Sequence, residues 1–234
     1  MYFVGRMTGT VIKLGGSLLF DETGRLKADY LKAFLRVLSE VDTGDSKKIV
    51  VVGGGATARR YITVAREVCS NESALDQLGI IASRLNASLL FTMYYGKPPL
   101  VPSSLEELMK LYYSDLPVIF TGGLQPGQST TTVSALVAEA TRSRLIIATD
   151  VDGVFTADPK KDPSAKLLEE VDVDWLIEMF ANPQKAGEYR LFDLLTLQII
   201  KRSRIETRVL NGYPPENIKR ALEGQRVGTL IVFP

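Results

Sequence analysis

Histidine is missing from all 234 residues, and cysteine occurs once, at Cys69. The first absence excludes Ser-His-Asp hydrolysis, His-ligated zinc and imidazole acid–base chemistry. The second excludes an internal disulfide and a Cys-rich metal site, and it leads us to expect a cytoplasmic protein. Charge of either sign is not in excess: 28 Lys and Arg face 27 Asp and Glu, for a net charge of +1. A dedicated nucleic-acid or membrane-surface protein carries a stronger bias, so neither partner is expected. No apolar run approaches the roughly 18 residues needed to cross a bilayer. The first twenty residues are interrupted by Gly5, Arg6, Thr8, Gly9, Thr10 and Lys13, so no signal peptide is expected. Two phosphate-binding fingerprints are absent as well: there is no Gly-x-x-x-x-Gly-Lys-Ser/Thr, and no Gly-x-Gly-x-x-Gly opens a helix. Any catalysis must therefore run on Lys, Arg, Asp, Glu, hydroxyls, backbone amides or a borrowed ion.

What remains is an ordinary globular composition, 45% hydrophobic and 24% charged, patterned as alternating strands and helices. Thr10–Leu14 reads as a strand, and Leu31, Phe34, Leu35 and Leu38 form one apolar helical stripe. Lys47–Val52 is an unalternating β-branched run, as expected of a strand buried on both faces. A helix is expected over 56–68, then another around Leu75 to Leu85 followed by a strand over 88–93. Further helix–strand pairs are expected at 105–112 with 118–121 and at 132–141 with 144–149. Beyond Asp150 the spacing predicts helices near 174–180, 191–203 and 215–222, with strands at 207–210 and 229–233. Such alternation predicts an α/β fold with a mainly parallel sheet and helices on both faces. A shift in composition near residue 145 predicts two lobes on one continuous sheet, about 1–145 and about 146–234.

Four predicted strands end in glycine or in a short polar turn: Gly15-Gly16-Ser17, Gly53-Gly54-Gly55, Gly122-Gly123 and Asp150-Val151-Asp152-Gly153. In a parallel sheet these ends share one rim, where ligands bind. Glycines there let amides approach an anion, and a helix starting at Ala56 adds its N-terminal N–H groups. Each turn alone could be only a tight turn; three Gly-Gly pairs on one rim favour a phosphate site. Lys13 lies inside an otherwise apolar strand, so it needs a counter-charge, unless the strand is an edge and the ammonium reaches water. One of Arg59 and Arg60 can reach back toward a phosphate, leaving the other as a solvated helix residue. Asp76 is either a helix N-terminal charge or an acceptor for a ribose diol. Asp152 and Asp158 read first as turn residues. The loop Gln125 to Thr132 offers amides and hydroxyls, a weak cue by itself.

In order and spacing these segments resemble the amino acid kinase superfamily, in its archaeal-type UMP kinase branch. The resemblance runs along the chain through Lys13-Leu14-Gly15-Gly16-Ser17, Val52–Ile62, Thr121–Ser129, Ala148–Pro159, Lys185-Ala186-Gly187 and Ile199–Ser203. It implies a three-layer sandwich and transfer of the γ-phosphoryl group of ATP to UMP with Mg²⁺. Lys13 matches the catalytic lysine. Gly16, Ser17, Gly55, Arg59, Thr149, Asp150, Phe155 and Asp158 match the ATP site. Gly54, Asp76 and the loop Gly123, Leu124, Gln125, Pro126, Gly127, Gln128 and Ser129 match the UMP site. No resident metal site is implied. The resemblance also implies a homohexamer, a place in pyrimidine nucleotide synthesis and inhibition by UTP. The chain departs from the pattern in three places. Ser129-Thr130-Thr131-Thr132 stands where many relatives carry a Thr-Thr-Asp run, Phe155 stands for a common tyrosine, and Asp150 for a frequent asparagine. The lack of histidine argues against the isopentenyl phosphate branch. A non-catalytic nucleotide-binding or storage protein on the same scaffold is the alternative from another class.

Overall fold

A computed structural model describes residues 9–42, 44, 46–157, 159, 162–181 and 191–234. Seven strands form one sheet. In chain order they are β1 (Gly9–Leu14), β2 (Lys47–Val52), β3 (Val118–Thr121), β4 (Arg144–Thr149), β7 (Glu170–Asp172), β8 (Thr207–Asn211) and β9 (Thr229–Val232). A separate two-stranded hairpin pairs β5 (Val154–Phe155) with β6 (Leu167–Leu168). The sheet order is β3-β2-β1-β4-β8-β9-β7. Every pairing in it is parallel except β8 with β9.

The β-branched run in β2 explains the centre of this sheet. Val50 and Val52 pack with Ile12, Leu14 and Phe120 on one face. Ile49 and Val51 pack with Val11, Ile119 and Ile147 on the other. Helices cover both faces because both are apolar. On the first lie α2 (Ala28–Glu40), α4 (Glu72–Tyr95) and α9 (Glu216–Leu222). On the second lie α6 (Thr130–Thr141), α7 (Val173–Ala181) and α8 (Leu194–Ser203). A four-residue α1 (Gly16–Leu19), α3 (Gly55–Arg66) and α5 (Leu105–Tyr112) complete the chain.

One expected strand is absent. Residues 88–93 are the last turns of α4, a single 24-residue helix. The segment Ser88-Leu89-Leu90-Phe91-Thr92-Met93 has one β-branched residue, which is a weak case for a strand. Leu90 and Phe91 bury against the sheet together with Ala87, on the same helical face. The Asn71 side chain accepts a hydrogen bond from the Ala74 amide at one end, and Gly96 at φ 62° stops the helix at the other. The crossover from β2 to β3 therefore carries three helices and no strand.

Candidate functional site

Strand order reverses at β1: the chain runs outward from it through β2 and β3, then returns on its other side with β4. Such a reversal opens a crevice at the carboxyl ends of the two strands, and this is where an open parallel sheet binds ligands. The carboxyl end of β1 carries Lys13, Gly15 and Gly16, and that of β4 carries Thr149 and Asp150. The Gly15 amide donates to the Ala148 carbonyl at 2.9 Å and holds the two ends together.

Lys13 sits in the central strand, paired on one side with Val51 and on the other with Ile147. The edge-strand reading is thereby removed. Burial pulls its ammonium pKa from 10.5 down to about 8, and the Asp150 carboxylate opposes that fall. A polyphosphate at the rim would supply the missing negative charge.

The glycines beside it are dictated by close packing. A Cβ on Gly16 would lie 2.4 Å from the Gly55 Cα, so the turn after β1 and the start of α3 touch backbone to backbone. Gly55 itself has φ +59°. Helix α3 has no side-chain cap at Gly54, so its first amides remain available to an anion.

These amides face a cavity of about 250 Å³. Gly54, Gly55, Arg59, Asp76, Gly123 and Gln128 line it, with Thr130 from the polar loop 125–132, together with residues that sequence reasoning did not single out: Ala58, Ile62, Gly79, Ile80 and Ser83. The acceptor-side expectations Gly54, Asp76, Gly123 and Gln128 thus come together. Gly55 and Arg59, expected beside the donor phosphates, line the same cavity. Arg60 turns away and donates to the Thr23 carbonyl.

The loop 123–129 is tied from several directions. The buried Ser83 hydroxyl accepts from the Gly123 amide at 2.7 Å. Arg84 donates to the carbonyls of Gly123 at 2.9 Å, Leu124 at 3.2 Å and Ser103 at 2.7 Å. The Gly127 amide donates to Asp76 Oδ2 at 2.8 Å, which leaves Oδ1 for a ligand hydroxyl. Leu124 and Gln128 are half-buried, whereas Gln125, Pro126, Gly127 and Ser129 are exposed. Behind the glycine turn, Asn86 donates to the carbonyls of Gly53 and Gly54 at 2.8 and 3.2 Å. Asp76, Ile80 and Ser83 share one face of α4 at i, i+4 and i+7, within the stretch already expected to be helical.

The remaining expected donor residues lie along the rim. Gly16 and Ser17 are on α1, and the Thr149 hydroxyl donates to Asp150 Oδ1 at 3.2 Å. Phe155 is half-buried in the hairpin strand β5. Asp158, Lys160, Lys161 and the segment Lys185-Ala186-Gly187 lie outside the described residues. Among the described residues no group of three His, Cys, Asp or Glu could hold a metal ion, and no helix is long and apolar enough to cross a membrane.

Comparison with known proteins gives a consistent picture. The sequence profile of the amino acid kinase family matches residues 9–211. The chain is 52% identical to a uridylate kinase of Thermofilum pendens over 230 residues, 97% of this chain and 99% of that protein. It is 43% identical to one of Hyperthermus butylicus, covering 94% of this chain and 96% of the other. The crystal structure of a uridylate kinase from Archaeoglobus fulgidus superposes with a TM-score of 0.84 at 38% identity, covering 96% of this chain and all 100% of that one. A UMP kinase from Bacillus anthracis superposes at 0.78 with 26% identity, covering 97% and 96% of the two chains.

Proposed function

The chain belongs to the amino acid kinase family, and from that premise we infer that it is a nucleoside monophosphate kinase that phosphorylates UMP to UDP at the expense of ATP. A storage role on the same scaffold is not favoured. The observation that carries the reading on this chain's own residues is the junction at the switch point. There an otherwise uncharged central strand carries Lys13 one residue before its end, beside the uncapped start of α3 and the Asp76 cavity.

Phosphoryl transfer asks little covalent chemistry of a protein and a great deal of placement and charge. In our reading the carboxyl lobe, about 146–234, carries the ATP nucleoside near Thr149, Asp150, Phe155 and Asp158. The amino lobe, about 1–145, carries UMP. Asp76 Oδ1 takes a ribose hydroxyl, and the loop 123–129 reads the uracil edge. Gly16, Ser17 and the first amides of α3 cradle the donor phosphates. Arg59, expected beside the ATP phosphates, lines the cavity that holds Asp76, so in our reading it lies between the donor and acceptor phosphates and holds them in line. Lys13 stands between the two nucleotides and offsets charge on the migrating group. Mg²⁺ fits this donor set as an ion that arrives with ATP, because magnesium keeps its waters and takes one or two carboxylates plus phosphate oxygens. When bound it neutralises the donor phosphates.

An exposed apolar stripe on α3 and α4, with Tyr61, Val64, Ile81 and Leu85 all more than half exposed, supports self-association. We assign to it the homohexamer that the family resemblance implies. We place the enzyme in the cytoplasm, in pyrimidine nucleotide synthesis, with UTP as an inhibitor.

A coupled assay with ATP, Mg²⁺ and a panel of nucleoside monophosphates tests the reading. UMP is expected to be turned over at least about tenfold faster than CMP or AMP, a lower bound for a site that hydrogen-bonds a base edge. Equal rates across the panel, or ATP binding with no turnover, would overturn it.

A further inference from the structure

The first turn of α6 carries no acidic residue, yet a carboxylate is bound to it. It comes from Asp193, which caps α8 more than sixty positions away in sequence. Asp193 Oδ2 accepts from the Ser129 hydroxyl at 2.5 Å. The buried Thr132 hydroxyl lies 2.8 Å from both Asp193 oxygens. Asp193 Oδ1 accepts from the Thr196 amide at 2.7 Å and hydroxyl at 2.9 Å. The Thr132 and Thr196 hydroxyls are themselves 2.9 Å apart, and Ser129 also accepts from the Thr132 amide at 3.0 Å. One carboxylate therefore caps α8 and fastens the cap of α6.

We propose that Asp193 is a positioning residue for the acceptor nucleotide, fixing the end of the 123–129 loop through Ser129 and Thr132. Ser129 is the last residue of that loop, and its neighbours Gln128 and Thr130 line the acceptor cavity. The other end is fixed by Ser83 on Gly123, and the middle by Asp76 on Gly127. Without Asp193 the end that enters α6 would keep only the local helix-capping bonds of Ser129 and lose its tie to α8. The chemistry suits the ionised acid. Three hydroxyls and an amide present donors to two oxygens, which have four lone-pair directions. Burial by itself would push this carboxyl up, and the donors from Ser129, Thr196 and Thr132 outweigh it and hold the group below the ordinary carboxylate range. A protonated or amide side chain would set a donor against those hydroxyls and force them to reorient.

This inference rests on the assignment of the 250 Å³ cavity to UMP, and the test separates the two. Amide hydrogen exchange over residues 123–132 needs no substrate. We expect Asp193→Asn and Thr132→Val to speed exchange there while leaving the amides of β1 and β4 protected. Steady-state kinetics then read the function. Each variant should raise KM and Kd for UMP by about 5–20-fold, the order expected for lost charge-assisted hydrogen bonds. KM for ATP should stay within about twofold, and Thr132→Ser should restore the wild-type values. The double variant should be no worse than the worse single one, because both break the same link. Thr132→Val serves if Asp193→Asn does not fold. Unchanged exchange over 123–132 in a folded variant overturns the proposal, as does an equal rise of KM for both nucleotides. If exchange rises as expected but wild-type enzyme shows no preference for UMP, the link stands and the substrate assignment falls.

Discussion

The two halves of the site are built by different means. The acceptor wall is made by side chains that grip backbone: Ser83 on Gly123, Arg84 on Gly123 and Leu124, Asp76 on Gly127, and Asn86 on Gly53 and Gly54. The rim beside β1 and β4 is made by backbone packed against backbone, Gly16 on Gly55 and Gly15 on Ala148, with one ammonium and one carboxylate between strand ends. A base and a ribose must be told from their analogues, which needs directed polar groups at fixed places. A triphosphate has only charge and shape to read, which amides and a lysine meet with little side-chain machinery. Selectivity should therefore reside in the wall and rate in the rim.

Substitution at the rim should have the largest effect. Lys13→Ala is expected to lower kcat by about a thousandfold or more, in line with removal of a preorganised electrostatic group. It should leave the fold intact. The same substitution should raise thermal stability, because a pKa near 8 in place of 10.5 reflects a charge held at a cost of up to roughly 3 kcal/mol. The sign follows from linkage. Between about pH 8 and 10.5 the unfolded chain keeps a proton that the folded one has lost, so the lysine's penalty fades as pH rises through that window. ATP affinity moves the other way, falling above about pH 8, where binding must take up a proton. Calorimetry in two buffers of different ionisation enthalpy measures that uptake. A Lys13→Ala enzyme with ordinary kcat would erase the distinction between rim and wall.

Within the wall, Asp76→Asn should raise KM for UMP by about 10–100-fold, the range for a hydrogen bond to a charged group, with kcat and KM for ATP little changed. A matching loss in kcat would place Asp76 in the chemistry and blur the comparison. Ser83→Ala should have the smallest kinetic effect and a visible stability effect. It strands the buried Gly123 amide, which costs about 1–3 kcal/mol and, for a chain of this size, lowers Tm by roughly 2–10 °C. Scanning calorimetry alongside KM for UMP would sharpen how far loop order and binding are coupled.

The rim was legible in the sequence and most of the wall was not. Strand-terminal glycines mark their own location, because only an alternating pattern can place Gly15, Gly53 and Gly122 at one edge. Asp76 and the 123–129 loop were visible through resemblance. Ser83 and Arg84 lie inside the helix expected from Leu75 to Leu85, but their residue types do not mark them as loop anchors, and only Asn86 falls between that helix and the strand expected over 88–93. Burial of Leu90 and Phe91 against the sheet overrode that local reading. Arg59 and Arg60 were indistinguishable by type, and only the phase of α3 sends one to the cavity and the other to Thr23. Asp193 gave no signal, since its role depends on two hydroxyls from a distant helix.

The central position of β1 also bears on how the polypeptide emerges during synthesis. Its one neighbour, β2, follows closely, but its other neighbour begins at Arg144, opposite Thr10. For more than a hundred residues of translation the nascent chain therefore presents a strand with one row of backbone N–H and C=O groups unpaired, an open edge of the kind that seeds aggregation. Pairings of such long sequence separation also form slowly. The strand that carries Lys13 is thus the one most in need of protection at the ribosome, until the fourth strand arrives to cover it.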